Sequence, residues 1–411
     1  MKIVREDCAG LDVHKKSVVV AVRTPRAREV RTFPTTTKAL LQMLDYLQTH
    51  RVRHVAMEST GVYWRPIFNL LEDADMEEVM VVNAGHIKQV PGRKTDVKDA
   101  EWIAELLQYG LLRGSFVPKR EHREVRDLLR YRRTVIQQRA HEVQRVEKTL
   151  QTANITLSNV ASDILGASGR AMLEALIEGE QNPIAMAELA RGVMKRKKAA
   201  LAEALEGSIG AHQRFMLRQH LALIDAYERQ LRQLDEEVEK RMDPFAVQLA
   251  HLGEIRGIGP QTAQEIIGEI GTDMSRWPTE RHISSWAKVS PGNNQSGGKK
   301  HPGRTGKGGP VREILIRAAL NVSRNPNSYY AALYRRLCRR GSKEQALVAV
   351  AHALLIAIYH MLRDGVIHQD LGPNHFDERR REQSARNALR HLQRLGYRFT
   401  IEELEARRGV A

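Results

Sequence analysis

Hydrophobic and polar positions follow two different periods along the chain. Up to about residue 117, short β-branched runs alternate with stretches in which apolar positions recur at helical spacing, a pattern typical of an α/β domain. The elements predicted in this part are strands at 10–13, 17–23, 29–33, 54–58 and 78–82, and helices at 37–49, 63–73 and 97–112. The first strands follow one another through tight turns and the later ones are separated by helices. The pattern therefore predicts a mixed sheet.

Two long helices are predicted in the middle of the chain. The first covers residues 118–150, where long charged side chains surround apolar positions whose separations are built from threes and fours, namely Val125, Leu128, Ile136, Val143, Val146 and Leu150. The second covers 211–241 and carries alternating steps of three and four, the spacing of a coiled-coil seam, at Leu217, His220, Ile224, Tyr227, Leu231, Leu234 and Val238. Either an antiparallel pair within one chain or a zipper between two copies satisfies this spacing.

The remainder of the chain divides into two further parts. Residues 251–365 are mostly helical by pattern and contain a Gly-rich, Lys/Arg-rich loop at 291–310, while the Arg-rich tail after residue 365 contains a predicted amphipathic helix at 381–395. We therefore expect four segments with boundaries at 1–117, 118–250, 251–365 and 366–411.

The net charge of the chain indicates which class of binding partner to expect. The 411 residues include 65 Lys and Arg against 49 Asp and Glu, a formal charge of +16 that favours a polyanionic partner. Charge alone does not separate a DNA-binding enzyme from an RNA-binding protein. Two cysteines exclude a disulfide framework and a cysteine-rich zinc site and fit a reducing compartment. The charged N-terminus and the lack of an obvious membrane-spanning window predict a soluble, cytoplasmic and nucleoid-associated protein without a membrane partner.

Four carboxylates indicate candidate chemistry in the first domain. Asp12 interrupts a β-forming run, Glu58 ends a later strand, and Asp96 and Asp99 lie three apart on one face of a predicted helix. Each residue alone has a structural explanation, since Asp96 suits a helix N-cap and Glu58 a capping position. Together, in this order, they are what a ribonuclease H-like fold assembles into a site for Mg²⁺ or Mn²⁺, which prefer hard oxygen ligands.

The third segment carries two candidate nucleic-acid contacts. Gly257 and Gly259 lie in a helix-hairpin-helix pattern, IRGIGPQTAQEIIGEIG, whose backbone N–H groups can bind a phosphate. Ordinary packing of a Gly-rich helix connection is the alternative. Downstream, Ser296 precedes two glycines, and the surrounding cations are Lys299, Lys300, Arg304, Lys307 and Arg312. A serine there could attack phosphorus, but the sequence shows no obvious base to activate it, and composition alone favours a flexible basic loop.

The order of these motifs resembles a known family. GLDVHK, MESTGVYW and VNAGHIKQVPGRKTDVKDAEWIAELL, followed by IRGIGPQTAQEIIGEIG and SGGKKHPGRTGKGG, are similar to the DEDD insertion-sequence transposases that a bridge RNA directs. The resemblance covers about residues 2–112 and 252–320. The middle helices are similar only in kind, and the Arg-rich tail has no clear counterpart.

The resemblance implies a fold and a mechanism. It implies a RuvC-like (RNase H-like) α/β domain at 1–117, a helical coiled-coil connector, and a mainly helical C-terminal transposase domain with a helix-hairpin-helix. Its metal ligands would be Asp12, Glu58, Asp96 and Asp99, binding Mg²⁺ or Mn²⁺, and Ser296 would be the nucleophile that forms a covalent 5′-phosphoserine. It also implies donor and target DNA as substrates, a non-coding guide RNA as cofactor, and a dimer or tetramer in which two subunits complete each site.

Two other functions remain open at this level. A RuvC-like junction nuclease would use the carboxylates and water, with Ser296 only binding phosphate. A non-catalytic nucleic-acid-binding assembly protein would use neither. On the residues of the long basic helix, phosphate contacts and a solvated helix face are equally compatible with the pattern. Aromatic residues are 5% of the chain, which disfavours extensive base stacking.

Overall fold

The computed structural model describes most of the chain in two compact units. The described residues are 2–59, 61–83, 99–292, 294–296, 299–301, 305–306, 308–378 and 381–396; for 294–296, 299–301, 377–378 and 381–384 this covers the backbone only. The first unit is Met1–Arg123 and the second is Glu124–Ala411.

A five-stranded mixed sheet forms the centre of the first unit. Its strands are β1 (Cys8–Val13), β2 (Ser17–Arg23), β3 (Arg28–Pro34), β4 (His54–Glu58) and β5 (Glu78–Val82), in the spatial order β3-β2-β1-β4-β5. β1, β2 and β3 form an antiparallel meander, whereas β1, β4 and β5 run parallel. The prediction of a mixed sheet is confirmed, and three strands have the predicted bounds.

Helices cover both faces of this sheet. α1 (Thr37–Thr49) and α2 (Trp64–Glu72) pack on the face that bears Leu11, Val55 and Met57, with Thr36 accepting a hydrogen bond from the α1 backbone as its N-cap. α3 (Asp99–Gln108) packs on the opposite face, against Cys8, Ala56 and Val82. Because side chains alternate along a strand, Cys8, Gly10 and Asp12 of β1 all lie on the α3 side.

The contact between β1 and α3 is backbone to backbone at Gly10. A Cβ at this position would lie 2.3 Å from both the Ala100 oxygen and the Ala104 nitrogen. Ala100 and Ala104 are themselves small, buried and packed against Ala21 of β2. Small residues on both elements therefore let α3 lie closer to the sheet than larger side chains would allow.

The two predicted long helices are α4 (Arg120–Thr152) and α8 (Ala211–Met242). Within the second unit they pair antiparallel, since Arg132 binds Asp235 at 2.5 Å and, further along α4, Arg139 binds Glu228 at 2.6 Å, earlier on α8. Of the two arrangements that the spacing allowed, the chain uses the internal antiparallel pair.

The seam of this pair differs from the predicted one in particular positions. On α8, Leu217, Ile224, Leu234 and Val238 are buried as predicted, and His220 is buried against Glu142, with 2.8 Å from Nδ1 to the carboxylate oxygen. On α4 the expectation for Ile136 is wrong, because its side chain is 40% exposed while the neighbouring Val135 is buried. Two adjacent apolar residues cannot both face one partner helix, and periodicity does not say which one does.

A small helical lobe closes the far end of the pair. It comprises α5 (Ala167–Glu178), α6 (Pro183–Glu188) and α7 (Lys198–Ala204), with short 3₁₀ turns at Leu157–Asn159 and Gly192–Lys197. These elements share one apolar core with the end of α4 and the first half of α8, which includes Leu150, Leu173, Leu201 and Leu217.

The rest of the second unit is helical with one short hairpin. Its helices are α9 (Ala246–Gly253), α10 (Pro260–Ile270), α11 (Glu280–Trp286), α12 (Pro310–Val322), α13 (Tyr329–Cys338), α14 (Lys343–Asp364), α15 (His375–Glu378) and α16 (Arg381–Arg394), and its strands are β6 (Asn294–Ser296) and β7 (Lys299–His301). Two 3₁₀ turns lie at Asp243–Phe245 and Met274–Arg276. The hairpin lies within the stretch predicted as a loop.

α14 is the central helix of this part. By length and composition it is long and apolar enough to cross a membrane, contrary to the expectation that no such window exists. It is nevertheless packed against protein, because Val350, Leu354, Leu355 and Ile358 are fully buried. The buried Tyr359 hydroxyl also donates to the Trp277 carbonyl at 3.0 Å. These contacts are those of a core helix.

Gly10→Ala should destabilise the first unit by about 1–3 kcal/mol, the usual cost of overpacking a tight site, because the new methyl group meets helix backbone rather than a flexible side chain. Urea unfolding of the full chain, followed by a tryptophan signal from Trp64 or Trp102, measures this. Gly253→Ala is the matched control, since a Cβ there meets nothing within 4 Å. Equal midpoints for both variants would contradict the close approach at Gly10.

Candidate functional site

Three of the four predicted carboxylates lie at one edge of the sheet. Leu11 pairs with Met57 in the parallel β1–β4 register, so Asp12 and Glu58 follow at adjacent positions, at the carboxyl ends of the two strands. Both are on the α3 side of the sheet, because side chains alternate and Gly10 and Ala56 face α3. The carboxyl edge of neighbouring parallel strands is where α/β proteins commonly place their ligands.

The direction of α3 brings Asp99 to the same edge. The helix passes Gly10 of β1 at Ala100, and its last residue, Gln108, accepts hydrogen bonds from the backbone N–H of Val4 at 3.0 Å. Residue numbers thus rise along the helix while they fall along the N-terminal segment. Asp99, the first residue of α3, therefore lies toward the carboxyl end of β1 and not toward its start.

The Asp12 carboxylate has a neighbour that sequence reasoning missed. The side chain of Asp12 is 15% exposed, and its Oδ2 lies 3.0 Å from Nε2 of His14, which is 57% exposed. The signal was present in the sequence, since His14 stands two residues after Asp12 at the end of the strand. An imidazole at this place can stabilise the carboxylate or compete with a cation for it.

The described residues do not form a complete metal cluster. Asp96 lies outside them, and among the residues that are described no group of three or more His, Cys, Asp or Glu side chains is close enough to hold an ion. Glu58 and Asp99 each have a further interaction within the protein. The donor set itself, carboxylates without thiolates, suits a hard divalent cation.

The predicted helix-hairpin-helix corresponds to α9 and α10. Gly257 has a positive φ of +106°, and a Cβ there would lie 2.9 Å from the Val322 backbone of α12, so the position requires glycine for packing as well as for conformation. Gly259 is the N-cap of α10, is exposed, and has open space around its Cα. Packing accounts for Gly257, and the exposed N-terminus of α10 retains the geometry of a phosphate contact at Gly259.

Ser296 ends the first strand of a very short hairpin. It pairs with Lys299, and Lys300 pairs with Gln295, so the register leaves only Gly297 and Gly298 between the two strands. A two-residue Gly-Gly connection suits the tight turns of β-hairpins. The backbone thus places Ser296 and Lys299 next to the tip of the hairpin. Gly297, Gly298, Arg304 and Lys307, and the side chains of Ser296, Lys299 and Lys300, lie outside the described residues.

Arg312 holds the loop that carries Ser296. Its Nη1 donates to the Gly306 carbonyl at 2.9 Å and its Nη2 donates to Thr305 Oγ1 at 3.0 Å. Its aliphatic stem fills the space next to Gly308, where a Cβ would lie 2.3 Å from Cδ of Arg312. Two N–H groups of the guanidinium that was predicted to bind nucleic acid therefore donate hydrogen bonds to the protein's own loop.

A cleft of about 600 Å³ opens at the base of this loop. Pro291 and Thr305 line it from the two ends of the loop, Arg312 lines it from α12, and Glu344 and His352 line it from α14. Burial lowers the pKa of His352, because the charged imidazolium is disfavoured away from water. Sequence reasoning missed His352, because it stands inside an apolar helical run and only packing brings it to the loop.

The arginines of α4 are engaged within the protein. Each of the eight has a carboxylate oxygen within 4 Å, and these arginines are Arg120, Arg123, Arg126, Arg130, Arg132, Arg133, Arg139 and Arg145. One buried acceptor is Glu269 of α10, which is 4% exposed and receives two hydrogen bonds from Arg130 at 2.7 and 2.8 Å. These hydrogen bonds raise the pKa of Arg130. The arginines of the basic helix thus have carboxylate partners within the protein, while the side chains of Arg130 and Arg145 stay 43% and 61% exposed.

Comparisons with known proteins give matches for the region that carries the carboxylates and for the region that carries Ser296. Residues 9–155 match the DEDD_Tnp_IS110 domain, described as a transposase, and residues 249–335 match a domain described as "Transposase IS116/IS110/IS902 family". The two matched regions together cover more than half of the chain. The Insertion element IS110 uncharacterized 43.6 kDa protein of Streptomyces coelicolor (strain ATCC BAA-471 / A3(2) / M145) is 28% identical over 127 residues. That alignment spans 30% of this chain and 30% of the relative.

Both matched domains carry the name of the IS110 family, in this order along the chain. The chain belongs to the IS110 family.

Arg312→Gln should release the loop rather than remove a phosphate contact. We expect backbone hydrogen exchange in a peptide spanning residues 305–309 to rise about 10-fold or more, since each lost hydrogen bond is worth about 0.5–1.5 kcal/mol. Mass spectrometry of exchanged, pepsin-digested protein measures it. Arg324→Gln removes an exposed charge beyond the loop and should leave the exchange unchanged. If the Arg312 variant also leaves it unchanged, the guanidinium does not hold the loop.

Proposed function

We propose that the protein is an RNA-guided DNA transposase that cuts and rejoins donor and target DNA. The observation that carries the proposal is that Asp12, Glu58 and the start of α3 lie toward the same edge of a sheet with strand order β3-β2-β1-β4-β5. This order, with an antiparallel β2 and parallel β4 and β5, fits an RNase H-like domain. The family match supports the same reading.

Asp12, Glu58 and Asp99 would hold Mg²⁺ or Mn²⁺, with Asp96 as the fourth ligand that the resemblance implies. When bound, such an ion polarises phosphate oxygens and neutralises charge that develops on them. Rigid elements carry these three carboxylates, because Asp12 and Glu58 belong to paired strands and Asp99 to a helix packed on them. Rigid supporting elements are what such a site requires.

Ser296 would be the nucleophile. Its hydroxyl oxygen attacks phosphorus, the bond from phosphorus to the 3′ oxygen breaks, and the 3′ oxygen leaves as a hydroxyl after gaining a proton. The serine proton passes to a base, and the product is a 5′-phosphoserine. Attack by the 3′ hydroxyl of another strand then joins the strands and restores Ser296. A serine next to the tip of a hairpin with a two-glycine connection can approach a DNA backbone closely.

Assembly and guidance complete the proposal. The resemblance implies that the carboxylates of one subunit and Ser296 of another act on the same DNA, within a dimer or tetramer. Recognition of sequence would be delegated to base pairing with a guide RNA. The low aromatic content of the chain agrees with this division of labour, because a protein that reads unpaired bases itself relies on stacking.

A covalent protein–DNA complex is the direct test of the serine mechanism. Protein, guide RNA and labelled donor and target duplexes with Mg²⁺ should yield a slow-migrating DNA band on a denaturing gel that disappears on protease treatment. Ser296→Ala should abolish the band, whereas Ser285→Ala, in nearby α11, should retain it. Cleavage that survives Ser296→Ala but not Asp12→Asn would identify a metal-and-water nuclease. No cleavage under any condition would favour a non-catalytic binding protein.

Metal binding can be measured without DNA. Mn²⁺ is titrated into the full chain, and binding is followed by loss of the free-ion EPR signal. Asp12→Asn and Glu58→Gln should each weaken Mn²⁺ binding at least about 10-fold, because even changes in residues that only hydrogen-bond to metal ligands reduce metal affinity by about 10-fold or more. Glu101→Gln is the control, since Glu101 stands two residues after Asp99 on α3 and points in a different direction. Equal affinities for all variants would remove the metal from these residues.

A further inference from the structure

A concentrated group of cations lies on the helical lobe, outside both matched regions. Residues 191–198 read RGVMKRKK and include five Lys and Arg, and no Asp or Glu occurs between residues 189 and 202. We call residues 191–198 the basic turn. Most of it is the 3₁₀ helix Gly192–Lys197, in which Lys195, Arg196 and Lys197 are consecutive and exposed.

The basic turn is fixed to the lobe. The backbone N–H of Arg191 donates to Ser168 Oγ of α5 at 2.8 Å, and Lys197 Nζ donates to the Val160 carbonyl at 3.1 Å. Met194 packs against the apolar core of the lobe. The turn is therefore held at its start and middle, and its charged side chains project from a fixed backbone, which reduces the entropy lost when they bind a ligand.

Three of its cations are available for a ligand. Arg191, Lys195 and Arg196 are exposed, and within the described part of the chain none of them has a carboxylate oxygen within the 4.0 Å of an ion pair. Lys198, by contrast, is paired with Glu188. The arginines of α4 show the opposite state, since all eight are paired. Positive charge that meets no carboxylate of its own chain, concentrated on one turn, is suited to a polyanion.

The amino-acid composition of the lobe favours a nucleic-acid duplex over single-stranded nucleic acid as the ligand. Between residues 132 and 214 the chain contains no Phe, Tyr or Trp. Proteins that bind single-stranded nucleic acid or unpaired RNA loops stack bases on such side chains, whereas binding to the phosphates of a duplex needs only cations and backbone N–H groups. The substrate of the proposed function is duplex DNA.

We propose that Arg191, Lys195 and Arg196 of the basic turn bind the phosphate backbone of duplex DNA without reading its sequence. This rests on the proposed function for the identity of the duplex. The turn gives the protein a DNA contact on the helical lobe, independent of the carboxylates and of Ser296. Its role is to add affinity and to fix the path of the DNA, because phosphate contacts position a duplex but do not specify its sequence.

The test compares two triple variants of the full chain. One carries Arg191→Gln, Lys195→Gln and Arg196→Gln. The matched control carries Arg218→Gln, Arg229→Gln and Arg232→Gln, which removes the same charge from exposed positions of α8. Fluorescence anisotropy with a labelled DNA duplex of arbitrary sequence, between about 50 and 200 mM salt, gives the affinity and its salt dependence.

We expect the basic-turn variant to bind at least about 10-fold more weakly at ~100 mM salt, and its salt slope to fall by about 2–3, close to 0.9 for each lost phosphate contact. The control should lose much less on both measures. Circular dichroism and thermal unfolding should be alike for both variants.

Each contrary result has a distinct meaning. If wild type does not bind duplex DNA either with or without guide RNA, the proposed function fails. If wild type binds and the two variants are alike, this inference is wrong while the proposed function stands. If the loss is confined to a structured RNA hairpin, or to vesicles of phosphatidylserine and phosphatidylcholine, the basic turn serves another ligand and the assignment to DNA is overturned.

Discussion

The close approach of α3 to β1 at Gly10 is the constraint on which the carboxylate edge depends. Here a helix contacts the backbone of the central strand with no side chain between them, and Ala100 and Ala104 complete the contact. The position and direction of α3 then follow, and with them the place of Asp99 at the end of β1. A bulkier residue at position 10 would push the helix outward and separate Asp99 from the strand that carries Asp12.

Charge in this protein serves two purposes that composition cannot separate. Surplus cations suggest nucleic acid, yet the arginines of α4 bind carboxylates of neighbouring elements, including the buried Glu269. Exposed pairs of this kind contribute little to stability, about 0–1 kcal/mol each, but a buried carboxylate such as Glu269 needs its partners to avoid the cost of desolvation. The cations that remain for a ligand are those without such partners, as on the basic turn.

The serine loop depends on glycine and on one arginine. Gly308 leaves room for the stem of Arg312, and the guanidinium then holds Thr305 and Gly306. His352 of α14 lines the cleft at the base of the same loop.

The sequence by itself determined most elements of the first unit and supplied its candidate site residues. Alternation of period two and period three to four marked β2, β4, β5 and α1 to the residue, because those periods reflect local geometry that each segment adopts against any apolar partner. The family resemblance was likewise readable, since GLDVHK and MEST are contiguous. Asp12, Glu58 and Asp99 were identified as candidates for the same reason.

Only the tertiary structure decided which residues meet. It paired α4 with α8 antiparallel within one chain, placed Val135 rather than Ile136 in their seam, and gave two N–H groups of Arg312 acceptors in the loop. It also brought His352 to the serine loop. Each of these outcomes depends on contacts between residues far apart in the chain, and a local pattern carries no information about which distant surface will cover a given side chain.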